Sequence, residues 1–195
     1  PMGDVDMAVA MPIDKAATLF RDTGLKVVET GIEHGTVTVI ADNEAIEVTQ
    51  TRVDLETDGR HATVAFSDDW QVDAARRDFT VNALYVTADG TVEDPLGCAM
   101  ADLKAGRLRF VGEAARRVAE DALRMFRYCR FLPRFDGDGV DADALAAISA
   151  AARLAAGLSG ERIAGELRRL LGEPGVRIGL EVMEQTGLFA AAIGL

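Results

Sequence analysis

Two aspartates sit one residue apart in Gly3-Asp4-Val5-Asp6, within a stretch (4–9) that alternates like a β-strand. Residues i and i+2 of a strand point to one face, and two rises of about 3.3 Å put their Cβ atoms roughly 7 Å apart. Carboxylates so spaced can share one Mg²⁺ or straddle a pair of ions about 3.5–4 Å apart. Gly3 permits close approach of a ligand to the backbone. Glu47, on a second strand-like run (45–51), supplies a third carboxylate if that strand lies alongside. Such a cluster can take a proton from a hydroxyl and offset charge on a transferring phosphoryl group. The bland alternative is a pair of solvated aspartates at a strand start.

A second group is Arg76-Arg77-Asp78-Phe79-Thr80-Val81-Asn82-Ala83. Arginine offers a rigid fork for phosphate, Asp78 can accept from a ribose hydroxyl, and Asn82 can donate or accept. The octet reads equally as a helix C-terminus whose arginines complement the dipole, with Asp78 as their partner.

A third group lies in Glu120-Asp121-Ala122-Leu123-Arg124, followed by Arg127, Arg130 and Arg134. Val118, Ala122, Met125, Cys129 and Leu132 recur at spacings of four and three, which predicts one long helix with an apolar stripe. On it Asp121 and Arg124 share a face. One accepts and the other donates, so together they can address the Watson–Crick edge of a base. The alternative is an intrahelical salt bridge worth a few tenths of a kcal/mol. Residues 104–134 carry nine bases against three acids in a chain of net charge −11. That local excess favours a phosphate-facing surface over a merely solvated one.

The elements that must position these groups fall into two regions. Up to about residue 112 strands and helices mix. Pro12 opens a short amphipathic helix that stops at Gly24. Strand-like runs follow at 26–30, 36–41 and 45–51, the last two joined by a hairpin turn at Asp42-Asn43-Glu44. Residues 52–61 read as a mobile polar loop, 69–77 as a helix, and 80–87 with 91–94 as a hairpin around Asp89-Gly90. From Glu113 onward the pattern is helical, with further helices predicted at 142–156, 160–171 and 176–185. The expected architecture is therefore α+β: a mixed-sheet head with flanking helices over 1–112 and an all-α neck over 113–195.

Composition narrows the classes. The 195 residues are 49% hydrophobic and 27% charged, ordinary globular values that exclude a disordered or collagen-like chain. Cys98 and Cys129 are far apart, and only two histidines are present. That argues against a zinc site or disulfide framework and fits a reducing, cytoplasmic setting. No run approaches the eighteen apolar residues of a membrane span. The net charge taken whole argues against nucleic acid, but it averages unlike parts: −7 over 1–65, zero over 66–135 and −4 over 136–195.

In combination the motifs resemble the class II tRNA nucleotidyltransferases (CCA-adding enzymes) and the bacterial poly(A) polymerases that share their head. Gly3-Asp4-Val5-Asp6-Met7-Ala8 is similar to the family's metal-binding motif, and 31–37 with 46–49 to the strands and loop after it. Residues 76–84 are similar to its ribose motif, Asp94-Pro95-Leu96-Gly97 with Asp102-Leu103 to its hinge, 120–124 to its base-recognition motif, and Glu161-Arg162-Ile163 with Glu166-Leu167 to its last helical motif.

The resemblance implies a nucleotidyltransferase-type fold and Mg²⁺-dependent addition of C and A from CTP and ATP to a tRNA 3′ end, with pyrophosphate leaving. Poly(A), A-only or C-only addition remain open within the same chemistry, and a catalytically inactive RNA-binding fragment remains open outside it. It assigns Asp4 and Asp6 to Mg²⁺ in a two-ion site; Glu47 stays the optional third carboxylate of the strand reading. Arg77, Asp78 and Asn82 fall to ribose and phosphate and Asp121 and Arg124 to the base, with Arg127 either supporting that pair or neutralising phosphate; the local charge excess offers Arg130 and Arg134 to RNA. Partners are then tRNA and nucleoside triphosphates, with no membrane; a homo-oligomer built on the helical part is a further option. The family also carries a glycine-rich segment before the carboxylate strand and helical body and tail regions after the neck. Both are expected beyond the residues given.

Overall fold

The computed structural model describes residues 6–57, 62–135, 137 and 139–193. Packing divides the chain into two units, residues 1–56 with 63–73 and residues 57–62 with 74–195.

The first unit is built on a four-stranded sheet of order β1-β4-β3-β2, with β1 Asp6–Val9, β2 Lys26–Gly31, β3 Thr36–Ala41 and β4 Glu44–Gln50. β1 runs parallel to β4, and the other pairings are antiparallel. The β3–β4 hairpin closes through Asp42 and Asn43, both with positive φ (51° and 65°). Those residue types tolerate the left-handed region that a tight two-residue turn demands. Helix α1 (Ile13–Asp22) buries Ile13, Ala16 and Ala17 against Val37, Val39 and Val48. Because strand side chains alternate, Thr36, Thr38, Glu47 and Thr49 occupy the opposite face. Threonine hydroxyls pair across it, Thr30 with Thr38 at 3.2 Å and Thr36 with Thr49 at 3.0 Å. Residues 52–57, expected as loop, form strand β5 (Arg52–Thr57) paired with β6 (Ala62–Phe66). Val53 and Leu55 alternate with Arg52, Asp54 and Glu56, a period-two pattern that the stretch's overall polarity concealed. Residues 58–61 lie outside the described residues.

The second unit has one core, from Phe79 to Leu188. At its centre Phe79, Phe110, Tyr128 and Phe131 pack with ring centroids 5.1–6.1 Å apart. Helix α2 (Trp70–Ala75) begins before this unit, and residues 78–80 run extended beside 109–111, joined by a Phe79–Phe110 bridge. The expected strand over 80–87 is only partly present. Thr80–Ala83 is a 3₁₀ turn and the hairpin is confined to β7 (Tyr85–Val86) and β8 (Val92–Glu93). The turn forms because Asn82 bonds back locally, its N–H to the Phe79 carbonyl and its amide to Asp78. Helix α3 (Ala99–Lys104) carries Asp102, 1% exposed, which accepts from Thr80 Oγ1 at 2.7 Å and from Arg109 Nε at 2.9 Å, with a terminal Arg109 nitrogen 2.8 Å away as an ion pair.

The predicted single helix through Asp121 is broken. α4 (Ala114–Glu120) ends and α5 (Leu123–Phe131) begins around Asp121, whose φ/ψ of −149°/108° is extended. Asp121 Oδ1 accepts from the Leu123 N–H at 3.0 Å, the side-chain turn by which aspartate opens a new helix. The apolar stripe continues across the junction, so periodicity could not reveal the break. Helices α6 (Ala142–Ala151), α7 (Gly160–Leu171), α8 (Val176–Gln185) and α9 (Leu188–Ile193) complete the unit, with a 3₁₀ turn (Ala152–Gly157) in place of the last part of the predicted 142–156 helix. α8 approaches α5 so closely that a Cβ on Gly179 would lie 2.4 Å from the Cys129 carbonyl oxygen. Only glycine permits that contact.

Candidate functional sites

In the first unit the β1–β4 ladder places Asp6 directly opposite Glu47. Registered partners on adjacent strands share a face, so Glu47 meets the condition set for it, a strand alongside the carboxylate strand. Both residues are exposed, on the sheet face away from α1. Asp4 lies outside the described residues. Among the described residues no group of three His, Cys, Asp or Glu side chains is gathered closely enough to hold a metal ion. Two adjacent solvent-facing carboxylates are nonetheless the hard-oxygen donors that Mg²⁺ selects, and the donor set fits that ion.

The second unit gathers the remaining candidates at residues 75–82 and the α4–α5 junction. Asp78 is 8% exposed. Its Oδ1 accepts from the Phe79 N–H at 2.9 Å and from Asn82 Nδ2 at 3.0 Å, while its Oδ2 accepts from Arg127 Nε at 2.7 Å and lies 2.6 Å from a terminal Arg127 nitrogen. Arg127 therefore belongs with the ribose-motif residues, a link across 49 positions that spacing could not show. The Arg77 guanidinium lies 5.9 Å from the Tyr85 ring centre.

Asp121 and Arg124 do not share a helix face, because the chain turns between them. Asp121 accepts from Arg162 of α7 at 3.0 and 3.3 Å. Arg124 donates to the Arg117 carbonyl at 3.0 Å, to Glu120 at 2.8 Å and to the Arg76 carbonyl at 3.2 Å. Glu120 also accepts from Arg116 and Arg117, and Arg117 donates to the Ala75 carbonyl. Sequence reasoning counted Arg117 only as charge. Its burial, 7% exposed, marks it as the bolt between α4 and the chain before Asp78.

The arginine excess over 104–134 is largely met by acids from elsewhere in the fold. Arg109 pairs with Asp102, Arg127 with Asp78, Arg130 with Glu166 and Arg134 with Glu173. Arg130, expected to face RNA, is 8% exposed, bonds Glu166 at 2.5 Å and lies 4.0 Å from the centre of the Phe131 ring. It is a structural cation, because a buried charge must be paired. Arg134 is exposed but engaged, and its bond holds the Glu173 carboxyl below the ordinary glutamate value. Burial pushes the Cys129 thiol up to about 12, which leaves it inert. No helix among the described residues is long and apolar enough to cross a membrane.

The chain is similar in sequence and fold to known proteins. A family model described as "Poly A polymerase head domain" matches residues 1–109, and one described as "Probable RNA and SrmB-binding site of polymerase A" matches residues 139–193. The chain belongs to the poly(A) polymerase head-domain family. It is 44% identical over 172 residues to the mitochondrial CCA tRNA nucleotidyltransferase 1 of Mus musculus, covering 86% of this chain and 39% of that protein. It is 38% identical to the CCA-adding enzyme of Geobacillus thermodenitrificans, covering 100% of this chain and 47% of that protein. The crystal structure of the Bacillus stearothermophilus CCA-adding enzyme in complex with CTP superposes with a TM-score of 0.88 at 36% identity, over 100% of this chain and 46% of that one. The chain thus spans half or less of the length of these relatives.

Proposed function

We propose that the chain is the head (1–112) and neck (113–195) of a template-independent RNA nucleotidyltransferase that adds C and A from CTP and ATP to the 3′ end of tRNA. The observation that carries this reading is the convergence of sugar-type and base-type groups. Arg124 bonds the carbonyl of Arg76 and Arg127 bonds Asp78, so donors and acceptors suited to a base and to a ribose stand on one bonded framework. Relatives named CCA-adding enzymes support it.

In the reaction the terminal tRNA hydroxyl attacks the α-phosphorus of the incoming nucleotide. A new P–O bond forms as the hydroxyl proton passes to a carboxylate of the cluster, the α-phosphorus bond to the bridging oxygen breaks, and pyrophosphate carries away the electron pair. Asp6 and Glu47, joined by Asp4, would hold Mg²⁺, which when bound lowers the hydroxyl pKa and offsets phosphate charge. Asp121 offers acceptors and Arg124 retains donors beyond those it spends internally, a pattern complementary to the amino group and ring nitrogen of cytosine or adenine. Arg77 contributes positive charge for phosphate. In the full-length protein, Asp6→Ala abolishes incorporation of C and A into a tRNA lacking its 3′ end. Unchanged incorporation sinks the proposal, and incorporation of ATP alone redirects it to A-only or poly(A) addition.

A further inference from the structure

The carboxylate strand β1 is short and lies at the end of its sheet. The register from Asp6–Glu47 to Val9–Gln50 joins it to β4, its one ladder partner among the described residues. A parallel ladder is slightly the weaker kind, and a slip of one residue would turn Asp6 to the other face. Bonds beyond the ladder are needed to fix where Asp6 stands. Two consecutive side chains where β4 ends, Gln50 and Thr51, supply them.

Thr51 is 1% exposed. Its N–H donates to the Val9 carbonyl at 3.0 Å, and its hydroxyl reaches the same oxygen at 3.3 Å and also the Ser67 carbonyl. Ser67 returns a bond, its N–H to the Thr51 carbonyl at 3.2 Å. The hydroxyl proton therefore lies between the last residue of β1 and the chain leaving β6. Gln50 holds the far side of the turn that follows β1. Pro12, at the cap position of α1, offers no side-chain acceptor, and Gln50 Oε1 takes that role, accepting from the Ile13 N–H at 2.9 Å. Gly35 leaves room for this side chain, since a Cβ there would lie 2.8 Å from Gln50 Cγ.

We infer that Gln50 and Thr51 are positioning residues for the cation site: by clamping Val9 and Ile13 they fix the register that sets Asp6 beside Glu47. The inference rests on the reading of those carboxylates as Mg²⁺ ligands and adds the residues that aim them. Both act through the backbone of β1 and not by touching the cation.

Mn²⁺ prefers the same oxygen donors as Mg²⁺ and serves as the probe, its free concentration read by EPR in titrations of the full-length protein. The Mg²⁺ concentration for half-maximal nucleotide addition is measured beside it. Thr51→Val, close in shape but without the hydroxyl, weakens Mn²⁺ binding about tenfold and raises the half-saturating Mg²⁺ similarly, as loss of a ligand-orienting partner does. Thr51→Ser keeps the hydroxyl and restores both values to within about threefold, while Gln50→Ala shifts both by about threefold or more. A role in folding alone changes the amount of active protein and leaves both metal values where they were. Unchanged values in Thr51→Val overturn the proposal; if that variant does not fold, unchanged values in Gln50→Ala overturn it. Asp6→Ala that binds Mn²⁺ as tightly as the parent protein is a different result, and it overturns the metal reading together with the inference built on it.

Discussion

The two units treat their candidate site carboxylates in opposite ways. On the sheet of the first unit, Asp6 and Glu47 stand side by side and exposed. In the helical unit Asp78, Glu120 and Asp121 each accept from at least one arginine, and the two inner arginines on Glu120, Arg117 and Arg124, bond backbone carbonyls as well. The contrast teaches what each kind of ligand requires. A cation brings its own charge and is held by oxygens left open for it, so repulsion between neighbouring carboxylates is tolerated until it binds. A base or a sugar is told apart by a few hydrogen bonds, and those discriminate only when donors and acceptors are already fixed.

Substitutions at the two places should break in different ways. Asp6→Asn in the full-length protein lowers nucleotide addition by about a thousandfold or more, the several kcal/mol that a metal site supplies, while the melting temperature stays within about 2 °C because the side chain is exposed. Glu166→Ala does the reverse. It strands Arg130 in the helical core and costs about 3–5 kcal/mol of stability, measured by denaturant unfolding of the chain. Gly179→Ala forces α8 away from the Cys129 carbonyl and costs about 1–3 kcal/mol, read in the same experiment.

The smallest effect is the exposed Arg134–Glu173 pair. The Glu173 pKa is depressed in the folded chain, so its contribution is present above the ordinary glutamate value and is lost as the pH falls through the lower, folded one. Glu173→Gln removes that acid-side dependence and costs less than about 1 kcal/mol at neutral pH. A larger cost would place this pair with the buried network and blur the contrast between solvated and fixed charges.

Much of the fold could be read from residue types. The Asp42-Asn43 turn, the α1 stripe of Ile13, Ala16 and Ala17, and the α7 and α8 boundaries follow from local chemistry, which periodicity and turn preference report directly. The break at Asp121 was hidden because an aspartate that opens a helix and one that sits within it leave the same apolar stripe around them. The α3 helix was missed because Ala99–Lys104 is a short six-residue helix whose buried acid, Asp102, finds its partners at Thr80 and Arg109.

What the sequence determined by itself was the inventory: which side chains can hold a cation, accept from a hydroxyl or face a base, and which segments alternate every two residues or every three to four. The partner of each charge was decided by the tertiary structure alone. Arg127 meets Asp78 across 49 positions and Arg130 meets Glu166 across 36. Charge along a chain is a sum over neighbours in sequence, whereas an ion pair is a sum over neighbours in space. The arginines of 104–134, read as an open basic surface, are for the most part bound to the fold's own acids and carbonyls.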